Sequence, residues 1–303
     1  MKDYLNEIND AFPMRRTDEE KASFFDYVLR ELGGERVKKE LIEKNNNIII
    51  GNVSEASVVL TAHYDTPATS LVPNFMIPAN KILSTVVHLF YPLAMALLSM
   101  FAALGLGSLL SLDNGMSMFI YLVLYFGLFY CSTMLIPNKN NKNDNTSGVA
   151  TVLTLAKSIS SDKVAFILFD NEEKGLLGSK AFNKKYKDLM EDKLVINFDC
   201  VGNGDNMIFI FKDKAEQTKE YKLLCEALAD GDEHFSVHYI PFKKASGNSD
   251  HKSFPCSVGV MAASKGRLVK FFTGRIHTAK DTVADSKNVL FLADRVKQFL
   301  DKM

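Results

Sequence analysis

The chain has 303 residues, which is enough for one large domain or two of ordinary size. Lys and Arg total 36 and so do Asp and Glu, so no basic excess indicates nucleic-acid binding, and no nucleic-acid partner is expected. The four cysteines are scattered without a C-x-x-C pair, which argues against a zinc finger and against a disulfide framework.

The first predicted element is a helix over residues 17–32. Thr17 and Glu20 form a capping-box pattern at its start, and Gly33 supplies a stop. The residues before it are charged and lack the apolar core of a signal peptide, so no cleaved signal is expected. Three short strands are predicted next, over residues 36–42, 47–50 and 58–62. The third is continuously apolar, as a buried central strand should be.

A long apolar insert follows these strands. Residues 82–137 carry a single charged side chain, Asp113. Two runs, 82–112 and 116–136, each exceed the roughly 20 residues that a helix needs to cross about 30 Å of hydrocarbon. The polar segment 111–115 between them is typical of a tight turn. We therefore predict a transmembrane helical hairpin whose ends return to the same side; the alternative is a soluble buried helix pair or a dimer interface.

Helices and strands alternate after the insert. The predicted helices cover residues 147–158, 175–186, 215–229 and 288–300. The predicted strands cover residues 164–169, 194–198, 207–211, 237–240 and 258–262. This alternation predicts an α/β fold with a mixed, mostly parallel central sheet and helices on both faces. We expect one discontinuous domain, residues 1–80 and 138–303, with the transmembrane hairpin inserted at 81–137.

The ends of the predicted strands carry the residue types that bind metals. His63 and Asp65 follow one strand, Glu172 and Glu173 follow the next, and Asp199 follows a third. Ligands of open α/β sheets gather beyond the carboxyl ends of strands, and zinc binds imidazole and carboxylate groups. In an adjacent Glu-Glu pair, one carboxylate can bind metal while the other remains a base. The alternative for that pair is an ordinary solvated acidic start of a helix.

Six stretches, in order, carry a family resemblance: AHYDT, NDNTSGVATVLTLA, FDNEEKGLLGS, NFDCVG, SDHKSF and IHTAKDT. They resemble the co-catalytic zinc aminopeptidase family that includes bacterial leucyl aminopeptidases and aminopeptidase Y and is related to glutamate carboxypeptidase and glutaminyl cyclase. With their flanks they span residues 1–72 and 138–303. The resemblance implies a zinc-exopeptidase-like catalytic domain, and together with the hairpin it implies a membrane-anchored dizinc aminopeptidase.

The resemblance also implies a ligand set for two zinc ions. His63 and Glu173 would bind one zinc, and Asp199 and His277 would bind the other. Asp144 would bridge the two ions. Co²⁺ or Mn²⁺ could substitute, because both occupy similar nitrogen and oxygen sites.

Four further residues receive roles from the same resemblance. Glu172 would be the general base, taking a proton from the attacking water and returning it to the leaving amine. Asp65 would support catalysis from behind His63, whose other ring N–H it could accept. Asp250 and His251, in SDHKSF, would shape the site.

Two departures from the family pattern bear on function. The small residues that usually precede the bridging aspartate are replaced by NKNDN, on a loop next to the insert. The chain has no tryptophan, whereas family cyclases have tryptophan-lined pockets, which weakens a cyclase interpretation. The alternatives left open are a glutaminyl-cyclase-like or carboxypeptidase-like member and a non-catalytic membrane scaffold of the same fold.

The flanks of the hairpin predict its orientation. Lys81, Lys139 and Lys142 lie on the side of the catalytic domain, and the far turn has no Lys or Arg, so the positive-inside rule predicts a cytoplasmic catalytic domain. The seven residue-to-residue steps from Pro137 to Asp144 span at most about 25 Å when the chain is extended. We therefore expect the site to open toward the bilayer and to take peptides, including apolar or membrane-associated ones; the oligomeric state is left open.

Overall fold

The computed structural model describes residues 2–72, 74–229 and 231–303. Its strands are β1 Val37–Ile42, β2 Asn45–Ile50, β3 Val58–His63, β4 Phe75–Met76, β5 Val164–Phe169, β6 Leu194–Phe198, β7 Asn206–Phe211, β8 Ser236–Pro241, β9 Ser257–Lys265 and β10 Phe271–Gly274. Its α-helices are α1 Tyr4–Ala11, α2 Asp18–Leu32, α3 Lys81–Leu109, α4 Asn114–Thr133, α5 Gly148–Ser158, α6 Leu177–Lys185, α7 Lys187–Met190, α8 Asp213–Glu216, α9 Lys219–Leu228 and α10 Ser286–Asp301. Short π and 3₁₀ segments cover Lys142–Ser147 and Asp250–Ser253.

The strands form one mixed sheet in the order β1-β2-β5-β3-β6-β9-β10-β4, and β7 pairs with β9 and with β8. Its centre, β5-β3-β6-β9, is parallel. Leu60 of β3 lies beside Phe166 of β5 and Ile196 of β6, and all three are fully buried. Burial of each such side chain stabilises the fold by roughly 1.5–3 kcal/mol. The predicted α/β class with a mixed, mostly parallel central sheet is confirmed.

Helices cover both faces of the sheet. One face packs against α1, α2, α5, α9 and α10, and the other against α6 and α7. Helix α5 begins at Gly148, where an added Cβ would collide with the carbonyl of Phe198 in β6. Glycine is thus needed for the close approach that brings the segment before α5 to the end of the sheet.

The capping-box prediction is confirmed at the start of α2. The Thr17 hydroxyl accepts the Glu20 N–H at 3.2 Å, and the Glu20 carboxylate accepts the Thr17 N–H at 3.0 Å. The helix predicted over 175–186 begins later, because residues after Glu172 form a turn in which its carbonyl accepts the N–H of Gly175 at 2.8 Å. The helix predicted over 215–229 is two helices, α8 and α9, since Thr218 caps a new start.

Four of the named elements, α1, α7, β4 and β10, were not predicted. Helix α1 is short, and its amphipathic signal rests on three buried residues, Tyr4, Leu5 and Ile8. Strands β4 and β10 have two and four residues and pair with each other at the edge of the sheet. Elements this short carry too little periodicity to be recognised from sequence.

Helices α3 and α4 form an antiparallel pair outside the α/β core. Ser99, Ala103 and Gly107 recur at four-residue spacing and are the buried positions in the middle and end of α3. A Cβ at Gly107 would collide with Ser117 of α4, so small residues allow the close approach. Both helices are long and apolar enough to cross a bilayer, with mean hydropathy 2.0 and 1.6 in their most apolar windows, of which 11% and 0% is buried. This low burial differs from that of a soluble core helix pair.

Candidate metal centre

Three neighbouring parallel strands deliver side chains to one edge of the sheet. His63 is the last residue of β3 and is buried. Glu172 and Glu173 follow β5, and Asp199 follows β6. Because β5, β3 and β6 are adjacent and parallel, these residues emerge together, as expected for a ligand site of an open α/β sheet.

Two loops complete this edge. Asp144 lies in the segment before α5, where its own N–H and that of Asn143 are accepted by the Asp281 carboxylate at 3.0 and 3.2 Å. His277 lies in the loop after β10. The two oxygens of Asp144 face different histidines: Oδ1 is 3.4 Å from Nε2 of His63, and Oδ2 is 2.9 Å from Nε2 of His277.

The side chains form two three-residue groups that share Asp144. His63, Asp144 and Asp199 make one group, and in each group the ligand-type atoms lie within 4.8 Å of one another. Asp144, Glu173 and His277 make the other.

The groups that share Asp144 pair the ligands differently from the expected sets. His277 lies with Glu173, at 3.4 Å between Nε2 and Oε2, and His63 lies with Asp199, at 3.7 Å between Nε2 and Oδ1. The loop after β10 approaches Asp144 from the side of the β5 loop, and sequence order does not reveal that side. A third group, His63 with Glu172 and Glu173, sets Glu172 beside the first two groups.

Asp65 connects the histidine to the acidic pair. Its carboxylate accepts the N–H of Glu172 at 3.0 Å and the N–H of Glu173 at 3.2 Å. Nδ1 of His63 lies 3.2 Å from the backbone carbonyl of Asp65 and 3.5 Å from its carboxylate. Nδ1 thus lies near both oxygens of Asp65 and is closer to the carbonyl than to the carboxylate that we expected to accept its N–H. The interpretation of Glu172 and Glu173 as a solvated start of a helix is wrong, because they lie in a loop held by Asp65 and Glu172 is buried.

The charge balance of this cluster fits bound cations. Among the described ranges, no Lys or Arg forms an ion pair with Asp144, Glu173 or Asp199, whose charged partners are the two histidines. One oxygen each of Glu173 and Asp199 is buried without a hydrogen-bond partner. Buried carboxylates without partners are costly, and nitrogen and oxygen donors of this kind suit zinc.

The pKa shifts point the same way. Burial opposes protonation of both histidines, but the surrounding carboxylates outweigh it: they raise the pKa of His63 well above its usual range and that of His277 to about 10. Burial raises the pKa of Glu173 to about 8, and burial with the nearby Glu173 and Asp250 charges raises the pKa of Glu172. The cluster thus holds protons where it lacks other cations, and metal binding would displace them.

Residues 136–295 match the sequence profile of Peptidase family M28. The chain belongs to Peptidase family M28. The matched region begins just after α4 and contains Asp144, Glu172, Glu173, Asp199 and His277. His63 and Asp65 lie before it, and the fold joins them to the rest of the site. No curated protein matches the chain in sequence.

Solved structures share the fold. The LapA aminopeptidase of Legionella pneumophila has a TM-score of 0.54 at 16% identity, covering 99% of this chain and 68% of that one. The glutaminyl cyclase of Porphyromonas gingivalis has a TM-score of 0.57 at 14% identity, covering 99% and 96%. BSAP, a zinc aminopeptidase from Bacillus subtilis, has a TM-score of 0.50 at 18% identity, covering 85% and 49%. At these identities the likeness establishes the fold alone.

Other buried polar residues lie beside the M28 site. Asp250 and His251 are both buried beside it, and neither carboxylate oxygen nor ring nitrogen has a hydrogen-bond partner within the described residues. Burial raises the pKa of Asp250 to about 7 and lowers that of His251 to about 3. His251 packs on Gly259, where an added Cβ would collide with the imidazole.

Two residues that hold the M28 site in place escaped the sequence interpretation. Asp281 lies in IHTAKDT, so the motif itself was the available signal. Arg15 is fully buried, and its guanidinium donates to Thr146 at 3.1 Å and to the backbone carbonyls of Phe12 and Tyr64. Nothing in the sequence around Arg15 marks it.

The M28 site opens into a cavity of about 540 Å³. Its lining includes the acidic cluster and four apolar side chains: Ile210, Phe242, Met261 and Ile276. The first turns of α3 supply another part of the lining: Lys81, Ser84, Thr85, His88 and Leu89. Helix α3 of the hairpin and the candidate metal ligands therefore line the same cavity.

Proposed function

We propose that this M28 chain is a membrane-anchored dizinc metallo-exopeptidase that releases N-terminal residues from peptides. One observation carries the proposal. The two oxygens of Asp144 face the imidazoles of His63 and His277, in two ligand groups that share no other residue. A carboxylate shared in this manner suits a pair of ions.

The residues would divide the work as follows. His63, Asp144 and Asp199 would hold one zinc, and Asp144, Glu173 and His277 the other. When bound, the ions would polarise the scissile carbonyl and lower the pKa of water. Co²⁺ or Mn²⁺ could take the same ligands.

Glu172 is the proposed general base. In peptide hydrolysis the oxygen of water bonds to the carbonyl carbon and the C–N bond breaks. Glu172 would take one proton from the water and deliver it to the leaving nitrogen. Asp65 would keep Glu172 and Glu173 in register, since it accepts the N–H groups of both. Asp250 and His251 would shape the wall beside them.

The charge of the cavity supports an aminopeptidase. Glu172 lines the cavity and belongs to neither proposed zinc group, so its carboxylate can face a free α-amine, a cation that a blocked N-terminus lacks. The apolar lining around Phe242 and Met261 suits apolar side chains, in keeping with apolar peptide substrates.

The hairpin is the proposed membrane anchor. Residues 81–137 would form an inserted transmembrane unit, and residues 1–80 and 138–303 the catalytic domain. Exposed apolar residues such as Ile82 and Leu109, at 80% and 78% exposure, would face lipid. Lys81, Lys139 and Lys142 favour a cytoplasmic catalytic domain. Because α3 lines the cavity, the bilayer surface would lie next to the opening of the site.

Metal analysis tests the proposal. We expect about two zinc ions per chain in protein purified in detergent, as two ligand groups require. Asp144→Asn should lower the content of both ions, whereas Asp205→Asn, outside the site, should leave it at two. One zinc per chain would favour a cyclase-like site, and none would favour a scaffold.

A further inference from the structure

The start of α3 carries a polar stripe within an apolar helix. In residues 81–90 the polar residues are Lys81, Ser84, Thr85 and His88, and the others are aliphatic or Phe. Their spacing of three and four residues puts them on one face of the helix. All four line the cavity that contains the acidic cluster. Polar residues in a membrane helix are costly and usually functional, so an anchor alone does not account for this face.

Contacts with the α/β domain determine the direction in which this face of α3 points. The Ser246 hydroxyl donates to the Ser84 hydroxyl at 2.7 Å, and the Lys81 N–H donates to the Lys244 carbonyl at 3.3 Å. Nδ1–H of His88 donates to the Ser84 carbonyl at 2.7 Å. The other ring nitrogen of His88, Nε2, is then an acceptor available to the cavity.

The cavity lining carries charges of both signs. Asp144, Glu172, Glu173 and Asp199 line it as buried or half-buried carboxylates, and Lys81 and Lys252 line it as exposed lysines. Among the described residues, neither lysine forms an ion pair; Lys252 donates to the Asn248 side chain at 2.9 Å. Burial and the proximity of Lys81 lower the pKa of Lys252, and the nearby charge of Glu172 opposes them in part. Two unpaired cations in one partly enclosed wall favour an anionic ligand.

The volume of the cavity limits the size of a ligand that can reach from the carboxylates to the lysines. A volume of about 540 Å³ suits a ligand of drug-like size, which is a peptide of a few residues. A zwitterionic short peptide matches these charges, with its α-amine near Glu172, which neither proposed zinc group uses, and its α-carboxylate at the lysines.

We propose that Lys81 and Lys252 bind the C-terminal carboxylate of short peptide substrates, with Nε2 of His88 accepting a peptide N–H. The inference rests on the proposed exopeptidase function and narrows its substrates to peptides of a few residues with both termini free. The membrane hairpin is thereby part of the substrate site. Lipid phosphate is the competing ligand for Lys81, but its position on the cavity wall favours the peptide.

The test compares trileucine with trileucine amide, using the full-length protein in detergent. Wild type should cleave the free acid with a kcat/KM at least about ten-fold higher, the effect of a charge-assisted contact. The double variant Lys81→Gln/Lys252→Gln should bring the acid-to-amide ratio close to one. Lys139→Gln removes a lysine that flanks the hairpin outside the cavity, and it should keep the wild-type ratio.

A wild-type ratio of one, or a ratio unchanged in the double variant, would overturn the inference while leaving the exopeptidase proposal intact. Loss of liposome binding in the double variant with no change in ratio would assign the lysines to lipid and would overturn it too. Cleavage of neither peptide would refute the proposed function. In that case, calorimetry on Glu172→Gln measures binding separately from cleavage. Trileucine should bind more tightly than trileucine amide. Equal binding of the two would overturn the inference.

Discussion

Replacing Glu172 by Gln should retain the metal ions and lower turnover by about 10²- to 10⁴-fold, the usual contribution of a general base. Glu172 belongs to neither of the two groups that share Asp144, so its loss leaves both groups complete. Glutamine has nearly the same shape but cannot take a proton from water. The measurement is kcat for N-terminal release together with metal content.

The neighbouring residue provides a matched control. Glu173→Gln alters a member of the group with Asp144 and His277, so it should lose metal as well as activity. The opposite assignment would appear as metal loss in Glu172→Gln and retention in Glu173→Gln. Near wild-type turnover in Glu172→Gln would remove it as the base.

Replacing residues 82–133 by a short Gly-Ser linker should move the protein from carbonate-washed membranes to the soluble fraction. The exposed apolar surface of α3 and α4 would hold the protein in the membrane, since its transfer from water to hydrocarbon is favourable. Nearly complete redistribution is expected, measured by quantitative blotting of both fractions. Leu268→Ser is the control, because Leu268 is a 96% exposed apolar side chain of the α/β domain and its replacement should change nothing.

Cysteine labelling of the hairpin tests the orientation of the protein in the membrane. A cysteine at Ser111, in the turn between α3 and α4, should react with a membrane-impermeant maleimide in intact cells. A cysteine at Lys139 should react only after the cells are opened. The reverse pattern would contradict the cytoplasmic orientation, and retention of the linker variant in membranes would contradict anchoring by the hairpin.

Much of the site could be predicted because the sheet brings its residues together. His63, Glu172 and Asp199 each follow a strand, and three adjacent parallel strands must end at one edge. The grouping of ligands was not predictable in the same way. His277 comes from a loop whose path depends on the pairing of β10 with β9 and β4, two short contacts with little sequence signal.

The hairpin was likewise predictable only in part. Length and apolarity predicted two long helices, observed as α3 and α4. The stripe from Lys81 to His88 was visible as spacing, but its direction depends on contacts such as Ser84 with Ser246, residues far apart in the chain. Asp281 lies in the IHTAKDT motif, but the motif does not reveal that its carboxylate accepts the backbone N–H groups of Asn143 and Asp144.

Digestion of defined peptides in detergent decides whether the chain is a metal-dependent aminopeptidase. Short apolar peptides with a free N-terminus should lose residues one at a time from that end, read by mass spectrometry. A chelator should stop the release, zinc should restore it, and N-acetylated peptides should remain intact. Release from the C-terminus, conversion of N-terminal Gln to a cyclic product without hydrolysis, or cleavage that persists in chelator would contradict the proposal.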